Sequence, residues 1–174
     1  MSQKNIEIKA SLEDAQFESI NQLAGSMANQ SFLLRQTDTY FQSKRGRLKL
    51  REFADGTGEI IGYFRADSAA PKASNYTRAN CDPVPTKEAL QRTLGIAAVV
   101  NKIRQVHLIG PTRVHLDTVE TLGKFLELEV VLADGQDEAD GTEIAYKLLK
   151  NFAVEEDQLI RGSYLDQVLS KRST

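Results

Sequence analysis

Apolar and charged residues alternate along much of the chain. In KNIEIKA, Asn5, Glu7 and Lys9 fall on one parity, and Ile6, Ile8 and Ala10 on the other. That is the period of a strand with one polar and one aliphatic face. Further extended segments are FLLRQTDTYFQS (32–43), RLKLREF (47–53), GEIIGYFRA (58–66), AAVVNKIRQVHLI (97–109), TRVHLDTVE (112–120) and KFLELEVVLA (124–133). Turns fall at Arg45-Gly46, Asp55-Gly56, Gly110-Pro111 and Leu122-Gly123. A loop begins at Pro71, and NYTRAN (75–80) reads as one more short strand. The period changes to that of a helix in four places. Phe17, Ile20, Leu23, Ala24 and Met27 predict a helix over roughly 12–28, with Ser11 as its N-cap. Thr86 is the expected cap of a short helix carrying Ala89, Leu90 and Leu94, closed by Gly95. Ala139, Ile144, Ala145, Leu148, Leu149 and Phe152 predict a third over 138–152, despite Gly141 inside it. A last short helix is expected from Ser163, with Tyr164, Leu165, Val168 and Leu169. The sum is an α+β protein, a meandering antiparallel sheet of about eight strands with helices inserted.

The polar parity carries unusual residues for a solvated face. Arg47, Lys49 and Arg51 share one side of their strand, as do Tyr63 and Arg65, Lys102 and Arg104, Arg113 with His115 and Asp117, and Glu127 with Glu129. For one strand, the simple reading is a sheet with a wet side. Repeated Arg-x-Lys-x-Arg and Glu-x-Glu across many strands weakens that reading. A sheet of this size also tends to curl, and closure removes its edges. A closed antiparallel β-barrel with its aliphatic face outward, flanked by helices, turns the charged faces into the wall of a tunnel. Cations and carboxylates inside such a tunnel suit a polyanion and a divalent cation together, for example a triphosphate with Mg²⁺.

Composition narrows the remaining possibilities. With 174 residues, 41% hydrophobic and 26% charged, the chain fits one globular domain over 1–174. A net charge of -2 argues against a broad grip on nucleic acid or membrane. The single cysteine, Cys81, permits no internal disulfide and suits a reducing compartment. No apolar run reaches the length of a membrane span and the first thirty residues lack a signal-peptide core, so a cytoplasmic location is expected. A homodimer is compatible with the sequence, with nothing specific to support it.

The order of an N-terminal x-x-E-x-K strand, DTYF…GRLKLRE, YFR, NKIRQ, VHLDTVETLGKFLELEVV and a terminal SYLDQVL resembles the CYTH family of triphosphate-tunnel proteins. That family contains class IV adenylyl cyclases and thiamine triphosphatases, and the resemblance runs nearly end to end. It implies a closed barrel with a charged bore, a triphosphate as small-molecule partner, and Mg²⁺ (or Mn²⁺) as cofactor. By the same resemblance, Lys9, Lys49, Arg51, Arg65, Lys102, Arg104 and Arg113 face the triphosphate, with Lys9 and Arg104 in catalytic roles. Glu7, Asp117, Glu127 and Glu129 take the metal side. Asn5 departs from the pattern, standing where relatives place the first Glu of E-x-E-x-K, and removes one negative charge from that side. His107, on the parity opposite Lys102 and Arg104, reads as structural, while His115 shares the parity of the bore. Tyr40, Tyr63, Tyr76 and Tyr164 read as packing residues, and SYLDQVL as a helix covering the barrel.

Three functions share this clamp. Water attacking the terminal phosphorus gives a metal-dependent triphosphatase acting on a nucleoside, thiamine or inorganic triphosphate. Attack of ATP's own ribose hydroxyl on the α-phosphorus gives an adenylyl cyclase. Binding without turnover gives a polyphosphate or nucleotide module, an option that Asn5 keeps open. Hydrolysis is slightly preferred.

Overall fold

The computed structural model describes residues 3–172, without the side chains of Gln3 and Arg65. Its elements in chain order are β1 (Gln3–Leu12), α1 (Asp14–Met27), β2 (Gln30–Phe41), β3 (Arg47–Phe53), β4 (Gly58–Arg65), β5 (Lys72–Cys81), α2 (Pro83–Leu94), β6 (Ile96–Ile109), β7 (Thr112–Val119), β8 (Gly123–Val131), α3 (Glu138–Asn151) and α4 (Tyr164–Arg172). The strands close into an antiparallel barrel in the order β1-β5-β4-β3-β2-β6-β7-β8. Two meanders, β2 to β5 and β6 to β8, therefore meet along the long β2–β6 pairing, and β1 seals the other seam between β5 and β8. A simple meander would have paired β1 with β2. Instead α1 carries the chain over the outside of β6, β7 and β8, and β2 enters on the opposite side of the barrel.

The aliphatic parity faces outward, under the helices. Ile6, Ile8 and Ala10 of β1, Val114 and Leu116 of β7, and Leu126, Leu128 and Val130 of β8 form one core with Phe17, Ile20 and Ala24 of α1 and Ala145, Leu148 and Leu149 of α3. Each large aliphatic chain buried in this way contributes about 1.5–3 kcal/mol. Gly141 lies where α3 approaches the sheet most closely, since a Cβ there would stand 2.7 Å from both Ile6 Cγ1 and Leu132 Cδ2. This contact accounts for a glycine inside a helix. His107 belongs to the same outer layer: buried, its ring nitrogens lie 2.7 Å from Ser31 Oγ and 2.8 Å from Asn21 Oδ1.

Local signals misplaced some ends. Ser11 does not cap α1 but stays in β1, where its hydroxyl donates to the Gln158 carbonyl. Asp82, not Thr86, caps α2 by accepting from the Val84 amide, and β5 begins three residues before NYTRAN. As expected for SYLDQVL, α4 covers the barrel. It crosses the barrel end where β2 and β7 finish and β6 and β8 begin, and packs Tyr164, Leu165 and Val168 against Tyr40, Val100, Val119 and Phe125. Lys171 and Arg172 tie its far end to the carbonyls of Thr121 and Ala97. The bore is therefore blind at this end. At the other, Phe32 is 41% exposed and the rim opens.

Candidate functional site: a charged blind bore

The inward parity brings Glu7, Lys9, Lys49, Arg51, Lys102, Arg104, Arg113, Glu127 and Glu129 to the wall of one cavity. Asp117 sits directly behind it, fully buried. The side chain of Arg65, the remaining predicted residue, lies outside the described residues. Asn5 also lines the cavity, opposite Ser74 across the β1–β5 pair; Asn5 Oδ1 and Ser74 Oγ are buried without a hydrogen-bond partner among the described residues.

One wall, formed by β3, β2 and β6, is basic. Its centre is Asp38, a residue that the pattern of repeated charges did not single out. Arg51 grips the Asp38 carboxylate with two nitrogens, each at 2.8 Å, while Lys102 and Lys49 reach Oδ2 at 2.7 and 3.0 Å. One carboxylate thus faces three cations away from water. Burial pushes the Asp38 carboxyl up, but Arg51, Lys102 and Lys49 outweigh it and hold the group well below the usual carboxylate range. Burial and the charge of Arg51 lower Lys49 to about 8, against the opposing pull of Asp38. The position was legible in principle, because Asp38 shares the inward parity of Gln36 and Tyr40. Those neighbours are uncharged, so its strand lacked the charge repeat that marked the others.

The opposite wall, formed by β7, β8 and β1, is acidic. Arg104 reaches across from β6 to make two 2.6 Å bonds to Asp117 and one of 2.8 Å to Glu127 Oε2. Lys9 lies 3.1 Å from Glu127 Oε1, and Arg113 holds Glu129 Oε2 through Nε at 2.8 Å. The buried carboxyl of Glu127 is pushed up by desolvation, yet Lys9, His115 and Arg104 bring it well below its ordinary value. His115 is paired with Glu127 across β7 and β8 and is also buried, 5% exposed. Its Nδ1 stands 3.6 Å from Glu127 Oε2 and 3.7 Å from Glu129 Oε1. Burial and Arg104 lower its pKa below the usual value, in opposition to Glu129. His115, Glu127 and Glu129 present ligand atoms within 4.8 Å of one another, a group able to hold a metal ion. Asp117 is not in that group; Arg104 and Tyr164 occupy it.

Tyr164 joins the two walls at the blind end. Its hydroxyl donates to Asp117 Oδ2 at 2.7 Å, the Lys9 ammonium lies 3.6 Å from its ring centre, and Lys102 lies 5.5 Å from it. Cation–π contact of this kind strengthens in a dry site. Tyr164 is therefore part of the bore and more than packing, and Tyr40, Tyr63 and Tyr76 line it as well.

Proteins of known sequence and structure are similar to this chain. The CYTH domain matches residues 3–164. A Methanocaldococcus jannaschii protein named "Putative adenylate cyclase" is 26% identical over 171 residues, covering 92% of this chain and 96% of that protein. The PH1012 protein of Pyrococcus horikoshii has the same fold, with a TM-score of 0.81 at 21% identity over 93% of this chain and 98% of the other. HpAC1 of Hippeastrum, named a "Putative adenylyl cyclase" and described as having a dominant triphosphatase activity, has a TM-score of 0.64 at 13% identity over 86% of this chain and 88% of its own. The domain match spans every strand of the barrel and reaches Tyr164 at the start of α4, and the chain belongs to the CYTH domain family.

Proposed function

We propose that the blind bore binds the polyphosphate of an organic triphosphate and, with a divalent cation, hydrolyses it. The observation that carries this reading is the Asp38 cluster, in which three cations, Lys102 buried and Lys49 and Arg51 half-buried, share one fully buried carboxylate. Excess positive charge in a dry site favours an anion, and a guanidinium fork flanked by ammonium groups suits phosphoryl oxygens. Across the bore, Glu7, Glu127 and Glu129 offer the hard carboxylate oxygens that Mg²⁺ and Mn²⁺ accept. A cation bound there supplies charge neutralisation at the phosphoryl oxygens and a more acidic water.

The chain's own residues do the rest. Lys49, Arg51 and Lys102 hold the polyphosphate, and Arg104 and Arg113, fixed by Asp117, Glu127 and Glu129, present preset donors toward it. Catalysis is then mostly positioning and charge stabilisation: water attacks the terminal phosphorus, the bridging P–O bond breaks, and the diphosphate leaves as orthophosphate forms. The rim carries Phe32, Leu34, Phe53 and Val106 on the cavity side, an apolar collar suited to the organic part of a substrate. The dominant triphosphatase activity of the Hippeastrum protein, which has this fold, is in line with the reading.

The test is product analysis after incubation with ATP, thiamine triphosphate and tripolyphosphate, each with Mg²⁺, with Mn²⁺ and with chelator. Orthophosphate from an organic triphosphate, dependent on metal, is expected. Cyclic AMP with pyrophosphate would replace hydrolysis by cyclisation, and tight binding without products would leave a binding module.

A further inference from the structure

We infer that His115 is a metal ligand through Nδ1, and that the ion it shares with Glu127 and Glu129 belongs to the class that accepts imidazole, Mn²⁺, Fe²⁺, Co²⁺ or Zn²⁺, in preference to Mg²⁺. The inference rests on the reading of the acidic wall as a metal site and makes that site specific.

Three observations converge on this nitrogen. First, β7 turns Arg113, His115 and Asp117 into the bore, and the two flanking residues already have partners: Arg113 holds Glu129, and Asp117 holds Arg104 and Tyr164. His115 Nδ1 is the exception. It is buried and has no hydrogen-bond partner among the described residues, a state that buried polar atoms rarely keep.

Second, the nitrogen points at two carboxylates at a spacing that suits an ion better than a hydrogen bond. The separations of 3.6 and 3.7 Å are too long for direct bonding. Two donors on one first-row ion, each about 2.1 Å from it, stand at most about 4.2 Å apart. The observed gaps lie inside that limit, so modest side-chain adjustment closes the site. Third, the cations around the group leave room for it. Arg113 takes Glu129 Oε2, whereas Oε1 is the oxygen nearer His115. On Glu127, Lys9 and Arg104 use one oxygen each, and a carboxylate has lone pairs for a further partner.

Imidazole with two carboxylates is a mixed nitrogen–oxygen set. Mg²⁺ favours oxygen donors and keeps its waters, while Mn²⁺ and the later first-row ions bind imidazole readily. The chain has two histidines, and the other, His107, is on the outside of the barrel between β6 and α1, bonded to Ser31 and Asn21. A histidine signal from a bound metal can therefore be assigned.

The test uses the full metal-free protein loaded with Mn²⁺. Pulsed electron paramagnetic resonance is expected to show nitrogen hyperfine coupling from one imidazole in the wild type. His115→Gln should remove that coupling and weaken Mn²⁺ binding about tenfold or more, with a smaller effect on Mg²⁺. Glu129→Gln should weaken both ions. The wild-type spectrum needs no variant, so it stands even if a substitution impairs folding. Mn²⁺ bound without nitrogen coupling, yet weakened by Glu129→Gln, would overturn the role of His115 and leave the acidic metal site intact. Coupling that persists in folded His115→Gln would do the same. No binding of either ion, with or without tripolyphosphate, would overturn both this inference and the metal site beneath it.

Discussion

Asp38 and Glu127 are both buried carboxylates in one barrel, and they organise their surroundings in opposite ways. Asp38 is the only carboxylate among the described contacts of Lys49, Arg51 and Lys102, so its wall keeps excess positive charge. Glu127 has Lys9 and Arg104 as partners but stands among Glu129, Glu7 and Asp117, so its wall keeps negative charge and a set of ligand oxygens. The chain as a whole is nearly neutral, at -2. The proposed function thus depends on how charge is divided across the bore, a property invisible to net charge. On the proposed reading, an anion answers one wall and a cation the other.

Breaking the Asp38 side should have the largest effect. Asp38→Asn leaves three cations, one buried and two half-buried, without their counter-charge, and loss of one partner from such a cluster costs about 3–5 kcal/mol of stability. Urea or thermal unfolding measures it. If the wall is an anion site, tripolyphosphate should restore more stability to this variant than to the wild type; equal ligand effects in the two proteins would break the comparison. Glu127→Gln attacks the other side and should lower metal-dependent turnover about a hundredfold or more, read as steady-state rate under saturating metal. Metal-free triphosphate affinity should hold or improve, because the substitution removes negative charge. A fall in both would mean that Glu127 holds the barrel together without serving a metal.

The extent to which the sequence announced these walls follows from how each is built. The acidic wall was legible because Glu-x-Glu repeats at the strand period, and a two-residue repeat survives any change in strand ends. Likewise, Arg51 and Arg104 stand on the inward parity of the two strands that flank β2. Asp38 escaped because its inward neighbours are Gln36 and Tyr40, so its importance appears only when β3 and β6 are placed on either side of β2. Ser11 misled for a related reason: its hydroxyl fits a cap locally, but strand pairing with Phe125 holds it in β1. The plug formed by α4 depends on a contact between Tyr164 and residues more than forty positions earlier in the chain, such as Asp117. The resemblance placed SYLDQVL over the barrel, but no short pattern encodes its contact with Asp117.

Tyr164 can sharpen the comparison because it touches both sides. Tyr164→Phe keeps the ring near Lys9 and Lys102 and removes the hydroxyl that donates to Asp117. Arg104 still holds Asp117, so the loss should be about 1.5–2 kcal/mol, near the lower end for a hydrogen bond to a charged group. Tyr164→Ala removes the ring as well and should destabilise further. If Phe is neutral and Ala is not, the plug acts by packing alone and the two walls are electrostatically independent of it.

The smallest effect is also the most diagnostic, because stability and binding should move in opposite directions. Burial and Arg51 place the folded Lys49 at about 8, whereas an unfolded lysine titrates near about 10.4. Between those values the unfolded chain binds more protons than the folded one, so this group's contribution to stability rises as pH increases through the window. Below it, both states are protonated and the burial of the charge is unfavourable. Binding of a triphosphate needs the protonated ammonium, so affinity should fall as pH rises through about 8, by up to about tenfold as the charge is lost. Calorimetric titration of tripolyphosphate without metal, at pH values spanning the window, measures that fall, and parallel urea melts measure the stability. Lys49→Arg should flatten the Lys49 component of both curves, since a guanidinium stays charged throughout. Affinity that declines equally in Lys49→Arg would assign the titration to another group and remove Lys49 from the anion site, leaving Arg51 and Lys102 to define the basic wall.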